Sequence, residues 1–211
     1  IKPHGGQDDY NSILHESGHA EHFVHADASL PYGLRGLGDT SVTEAYAFLF
    51  NNLLFNRRWL EKTLGKRDWT PFLEFNRFSE TWMLRRYCAK LHYEWELHSG
   101  GSVDGAALYT QTLGRHLGVR IAPERYLADV DDAFYVAQYL RAWHLEAQIR
   151  EKLQREFGEE WFASREAGGM LKELFSLGES LDAWQIAAHL GLGGLDAGPL
   201  VRSLMNPRTG A

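Results

Sequence analysis

Two histidines four residues apart, with a glutamate directly after the first, form the pattern in this chain best suited to chemistry: His15-Glu16-Ser17-Gly18-His19. The surrounding residues 12–25 contain no proline and enough apolar side chains to be helical. On a helix, positions four apart stand one above the other, so both imidazoles reach a single metal ion. Glu16 is turned by about 100° from His15 on such a helix. Its carboxylate can therefore approach a water at the metal without taking a ligand position. Zinc suits the set, because it accepts neutral imidazole nitrogens and a carboxylate and leaves a fourth position for water. Against this stands the bland reading, since so short a pattern also recurs by chance on exposed helices.

A third ligand decides more, and Glu44 lies 25 residues beyond His19. The intervening residues 26–39 carry Pro31, Gly33, Gly36 and Gly38 and read as a loop that folds a second helix back on the first. Glu44 then falls in the first turn of that second helix. Ser41-x-x-Glu44 is also a capping box, in which the Glu44 carboxylate would take a backbone N–H instead of a metal. Combined with the upstream pattern, Glu44 reads as the third ligand, giving one zinc per chain held by His15, His19 and Glu44.

The stretch His15-Glu16-Ser17-Gly18-His19-Ala20-Glu21-His22 resembles the H-E-x-G-H-A-x-H segment of the thimet oligopeptidase and oligoendopeptidase F family of zinc metallopeptidases. The interval to Glu44 is the one that family uses. Gly6-Gln7-Asp8-Asp9 resembles its glycine-rich, aspartate-ending approach to the metal helix, and Gly38-Asp39-Thr40-Ser41-Val42 its lead into the glutamate helix, with Asp39 inserted. The likeness is strong over residues 4–50 and diffuse beyond. It implies an all-α, multi-helix zincin-like catalytic domain with at most a short β-hairpin, zinc ligation by His15, His19 and Glu44, and Glu16 as general base. It implies short peptides as substrates. Because the family places a long helical region before this point, residues 1–211 are expected to be the C-terminal part of a longer enzyme.

The resemblance also offers a donor for the oxyanion of the tetrahedral intermediate, a role that a tyrosine hydroxyl serves well. Residues 126–140 fall where the family has a histidine followed by a tyrosine-rich helix. Aligning on Tyr139-Leu140 places Tyr139 on the family's transition-state tyrosine. The expected histidine then falls near Leu127, an upstream tyrosine near Asp132, and the glycines of the family's flexible loop are missing. Tyr135 and Tyr139 are one helical turn apart. Tyr139 and Tyr135 are the candidates for oxyanion stabilisation, and Tyr126, Tyr135 and Tyr139 for substrate binding.

The elements that must position these residues read as helices almost throughout. Helices are predicted over residues 12–25, 41–60, 70–98, 103–117, 129–157, 167–177, 182–190 and 196–205, several ending at a glycine (Gly118, Gly158, Gly178, Gly191) and the last before Pro207. No segment shows sustained strand alternation. A chain of 211 residues suits one compact domain. With 22 basic against 28 acidic residues and no basic tract, nucleic acid is not an expected partner. The lone cysteine, Cys88, excludes an intrachain disulfide. No apolar run approaches membrane-spanning length and no signal peptide is evident, so no membrane partner is expected and a cytoplasmic location follows.

The other residues read blandly. His22 lies one turn past His19 and is assigned to packing or a hydrogen bond behind the ligands, since a fourth protein ligand would displace the water. Asp8, Asp9 and Asp39 are the nearest acids able to orient a ligating imidazole. The tryptophans read chiefly as packing, as does Phe157-Gly158-Glu159-Glu160-Trp161, which resembles the family's tail. Two rivals to the enzyme remain: a zinc-bearing helical fragment that binds peptides without cleaving them, and a metal-free structural helical domain.

Overall fold

The computed structural model describes residues 2–101 and 104–205. The chain is all-α, and no strand occurs among the described residues. The short β-hairpin allowed for does not occur among the described residues. Among the described residues ten α-helices follow one another: α1 Gln7–His25, α2 Tyr32–Gly36, α3 Thr40–Asn51, α4 Arg57–Leu64, α5 Thr70–His98, α6 Gly105–Leu117, α7 Val136–Phe157, α8 Arg165–Ser176, α9 Ala183–His189 and α10 Gly198–Met205. No helix among the described residues is long and apolar enough to cross a membrane. The predicted helix start at Val103 and the predicted stop at Pro207 lie outside the described residues.

The chain divides into two compact units, residues 1–76 with 141–211, and residues 77–140. The first unit is built around α3, whose Val42, Ala45, Tyr46 and Leu49 are fully buried. They meet Leu145, Ile149 and Leu153 of α7, Leu174 and Phe175 of α8, and Ile186 of α9 in one apolar core. Burial on this scale supplies the main favourable free energy of the unit.

The helix expected over 41–60 is interrupted. It gives way to a tighter turn at Asn52–Phe55 and restarts as α4, because the Asn56 side chain accepts the Trp59 N–H at 3.1 Å and caps the new helix. The helix expected over residues 12–25 starts earlier, at Gln7. Gly5 and Gly6 take left-handed φ values of 89° and 88°, and the Asp9 carboxylate accepts the His4 and Gly5 N–H groups at 2.9 and 2.8 Å, which turns the chain into α1 at Gln7.

The second unit packs Ala89 and Tyr93 of α5 against Tyr109 and Leu113 of α6. The helix expected from residue 129 starts only at Val136. Residues before it are held in an irregular course by side chains distant in sequence. Asp129 takes Arg86 at 2.6 Å and the Tyr109 hydroxyl at 2.9 Å, and Asp131 takes Lys90 at 2.6 Å. Ala133 and Phe134 then adopt left-handed φ values of 52° and 56°, which no helix continues through.

Candidate metal centre

Helices α1 and α3 run antiparallel in the first unit. Asn51 donates to the Asn11 side chain at 2.7 Å near one end of the pair, and His19 meets Thr43 near the other. Between them Gly18 allows the two backbones to touch. A Cβ at Gly18 would stand 2.5 Å from the Ala47 Cα and 2.7 Å from the Tyr46 carbonyl oxygen, so any side chain would push the helices apart. This closeness brings the imidazoles of α1 onto the carboxylate of α3.

His15, His19 and Glu44 come together, with one potential ligand atom from each lying within 4.8 Å of the others. The two Nε2 atoms are 3.2 Å apart, and the Glu44 Oε2 lies 3.4 Å from His15 Nε2 and 3.9 Å from His19 Nε2. Ligands at zinc's usual 2.0–2.1 Å in tetrahedral array stand about 3.4 Å apart, so the three edges have the size that one zinc ion requires. Glu44 is 6 % exposed and its Oε2 has no hydrogen-bond partner. A buried carboxylate oxygen left this way is costly unless a cation takes it up. The donor set, two nitrogens and one oxygen, fits zinc. The imidazoles are half-buried and Glu16 is exposed, which leaves the outer side open to solvent.

The capping role considered for Glu44 is not the one it has. Asp39 caps α3, accepting the Ser41 N–H at 3.1 Å and the Ser41 hydroxyl at 2.7 Å. The same carboxylate pairs with Arg141 at 2.7 Å and accepts the Ala183 N–H at 3.0 Å, so it ties the start of α3 to α7 and α9. Glu44 is thereby free of capping and points to the histidines.

The orienting partner of His19 is also different from the acids expected. The His19 Nδ1 faces the Thr43 hydroxyl at 2.7 Å. With Nδ1–H donating to Thr43, the Nε2 lone pair is turned toward His15 and Glu44, the form a metal ligand needs. Burial lowers the pKa of His19; Glu44 opposes the shift, neighbouring His15 adds to it, and the charge of Glu16 opposes it more weakly. The neutral ring is thus favoured. Asp9 serves the helix entry and Asp39 the cap. Thr43 escaped the sequence reading because its role depends on how α3 is rotated against α1.

His22 is fully buried and ligates nothing. Its Nε2–H donates to the Gly178 carbonyl at 3.1 Å, and its ring lies edge-on to Tyr46 at 4.9 Å. Desolvation lowers its pKa to about 4 despite the Gly178 bond.

Tyr126, Tyr135 and Tyr139 all belong to the second unit. There the Tyr139 ring packs on Tyr135 at 5.3 Å and on Tyr87 at 5.5 Å, while the Tyr126 carbonyl accepts the Tyr93 hydroxyl at 2.7 Å.

No family model, no curated protein and no solved structure matches this chain.

Proposed function

We propose that this chain carries the catalytic centre of a zinc-dependent peptidase acting on short peptides. The observation that carries the reading is the convergence of His15, His19 and Glu44 at ligand-to-ligand distances of 3.2, 3.4 and 3.9 Å around a buried carboxylate oxygen with no hydrogen-bond partner. The likeness of residues 4–50 to the thimet oligopeptidase and oligoendopeptidase F family points the same way.

His15, His19 and Glu44 would hold the ion, with Thr43 fixing the His19 ring. Zinc bound there supplies a Lewis acid that polarises the peptide carbonyl and lowers the pKa of water. Glu16, one position along from His15 and exposed, would accept the proton of the attacking water and return it to the leaving amine. Gly18 sets the helix spacing on which this geometry depends. The lone cysteine, exposed and unpaired, suits a reducing compartment, and the reading includes a cytoplasmic location.

The test is Glu16→Gln, assayed for zinc by elemental analysis and for turnover of quenched fluorescent oligopeptides. Zinc is expected to stay bound while kcat falls by roughly 100-fold or more, the usual worth of a general base. Undiminished turnover in this variant would remove Glu16 from the mechanism.

A further inference from the structure

We infer that Phe23 is a specificity-determining platform that receives an apolar, above all aromatic, side chain of the peptide substrate within about two residues of the bond cleaved. The inference rests on the peptidase reading and adds to it a substrate class and the residue that selects it.

Phe23 continues the row of the metal ligands. It stands four residues beyond His19, as His19 stands four beyond His15, so all three share one face of α1. Its ring stacks on His19 at 6.4 Å with an interplanar angle of 16°, and on the buried His22 at 5.0 Å and 25°. Gly36 of α2 lies along another side, where a Cβ would stand 3.4 Å from the Phe23 ring. The turn that carries Gly36 is itself fixed: the Glu179 N–H donates to the Leu34 carbonyl at 2.7 Å, and the Gly38 N–H to the Glu179 carboxylate at 2.6 Å.

A ring held on several sides nevertheless stays 45 % exposed, and Leu37 beside the same turn is 71 % exposed. Leaving such surface in water forgoes burial energy that the rest of the unit collects, and what sets Phe23 apart from other exposed apolar side chains is its stacking on His19 beside the centre. The opposite flank of the centre differs. Phe48 lies 5.5 Å from His15, but its ring is stacked at 4.9 Å and 7° on Trp143, which is 8 % exposed. Phe48 is therefore committed to packing, while Phe23 offers an open face.

Distance names the subsite. An extended peptide advances about 3.3–3.6 Å per residue. The 6.4 Å between the His19 and Phe23 rings thus corresponds to a side chain one or two residues from the carbonyl held at the metal. A rigid aromatic platform binds flat or branched apolar groups with little ordering cost.

The experiment measures binding of three hydroxamates to the zinc-loaded chain by calorimetry: acetyl-phenylalanine hydroxamate, acetyl-glycine hydroxamate and acetohydroxamate. Wild type is expected to prefer the phenylalanine compound over the glycine compound by roughly tenfold, the scale of one aromatic contact plus its buried area. Phe23→Ala should lose that preference while keeping its zinc and its affinity for acetohydroxamate, and Phe23→Tyr should keep the preference. Equal affinities in wild type, or a preference that survives in Phe23→Ala, would overturn the inference. Failure of the peptidase reading looks different. A wild type with the phenylalanine preference and no peptide turnover keeps the platform and sinks catalysis. A chain that holds no zinc and binds no hydroxamate overturns both.

Discussion

Gly18 of α1 lies directly against Ala47 of α3, so close that a Cβ on Gly18 would stand 2.5 Å from the Ala47 Cα. Helices α1 and α3 therefore approach at a distance only glycine permits, and the juxtaposition of His15, His19 and Glu44 depends on that approach.

Replacing Gly18 with alanine should separate α1 from α3. Overpacking of this kind costs about 1–3 kcal/mol, and zinc affinity should fall with it. Gly169→Ala in α8 is the control: its Cβ would meet nothing within 4 Å, and alanine there should stabilise the helix by about 1 kcal/mol. Denaturant unfolding of both variants reads the result, and a Gly18→Ala protein as stable as Gly169→Ala would contradict the close approach.

Thr43→Val keeps the shape of the side chain and removes the hydroxyl 2.7 Å from His19 Nδ1. Loss of such a partner behind a ligand typically weakens metal binding by about 10–100-fold. Competition with a chromogenic chelator measures the change. Unaltered zinc affinity would show that the His19 ring is held by the metal alone.

His22 makes a pH prediction with a definite sign. Its folded-state pKa is lowered from 6.5 to about 4 by burial. The unfolded chain therefore binds a proton near pH 6.5 that the folded chain does not bind until about pH 4. Stability is complete above the unfolded value and falls as pH drops through this window, by up to about 3 kcal/mol. Unfolding curves at pH 7 and pH 5, taken in chelator so that metal release does not contribute, should show the loss in wild type and less of it in His22→Gln, the part due to His19 being common to both. Equal pH dependence in the two proteins would mean that His22 is accessible to protons in the fold.

Much of the centre was legible before the structure because it is local. The i, i+4 placement of His15 and His19 follows from helix geometry alone, and the glycine- and proline-bearing loop before Glu44 announced a return of the chain. What was not legible depends on partners far away in sequence. The helix expected from residue 129 yields to Arg86, Lys90 and Tyr109, which draw Asp129 and Asp131 out of helical register. Thr43 and Phe23 look unremarkable in the sequence, since their roles depend on the rotation of α3 and the position of α2 against α1. The Ser41-to-Glu44 pattern was ambiguous for the same reason: Asp39, which also holds Arg141 and the start of α9, took the capping role and left Glu44 to the histidines.

The most direct test is zinc content by elemental analysis on wild type and Glu44→Ala, purified side by side after exposure to zinc and gel filtration. About one zinc per wild-type chain is expected, as a three-ligand site requires, and little or none in the variant. A wild type that emerges free of zinc, or a Glu44→Ala protein that retains it in full, would contradict the claim that His15, His19 and Glu44 form a metal centre.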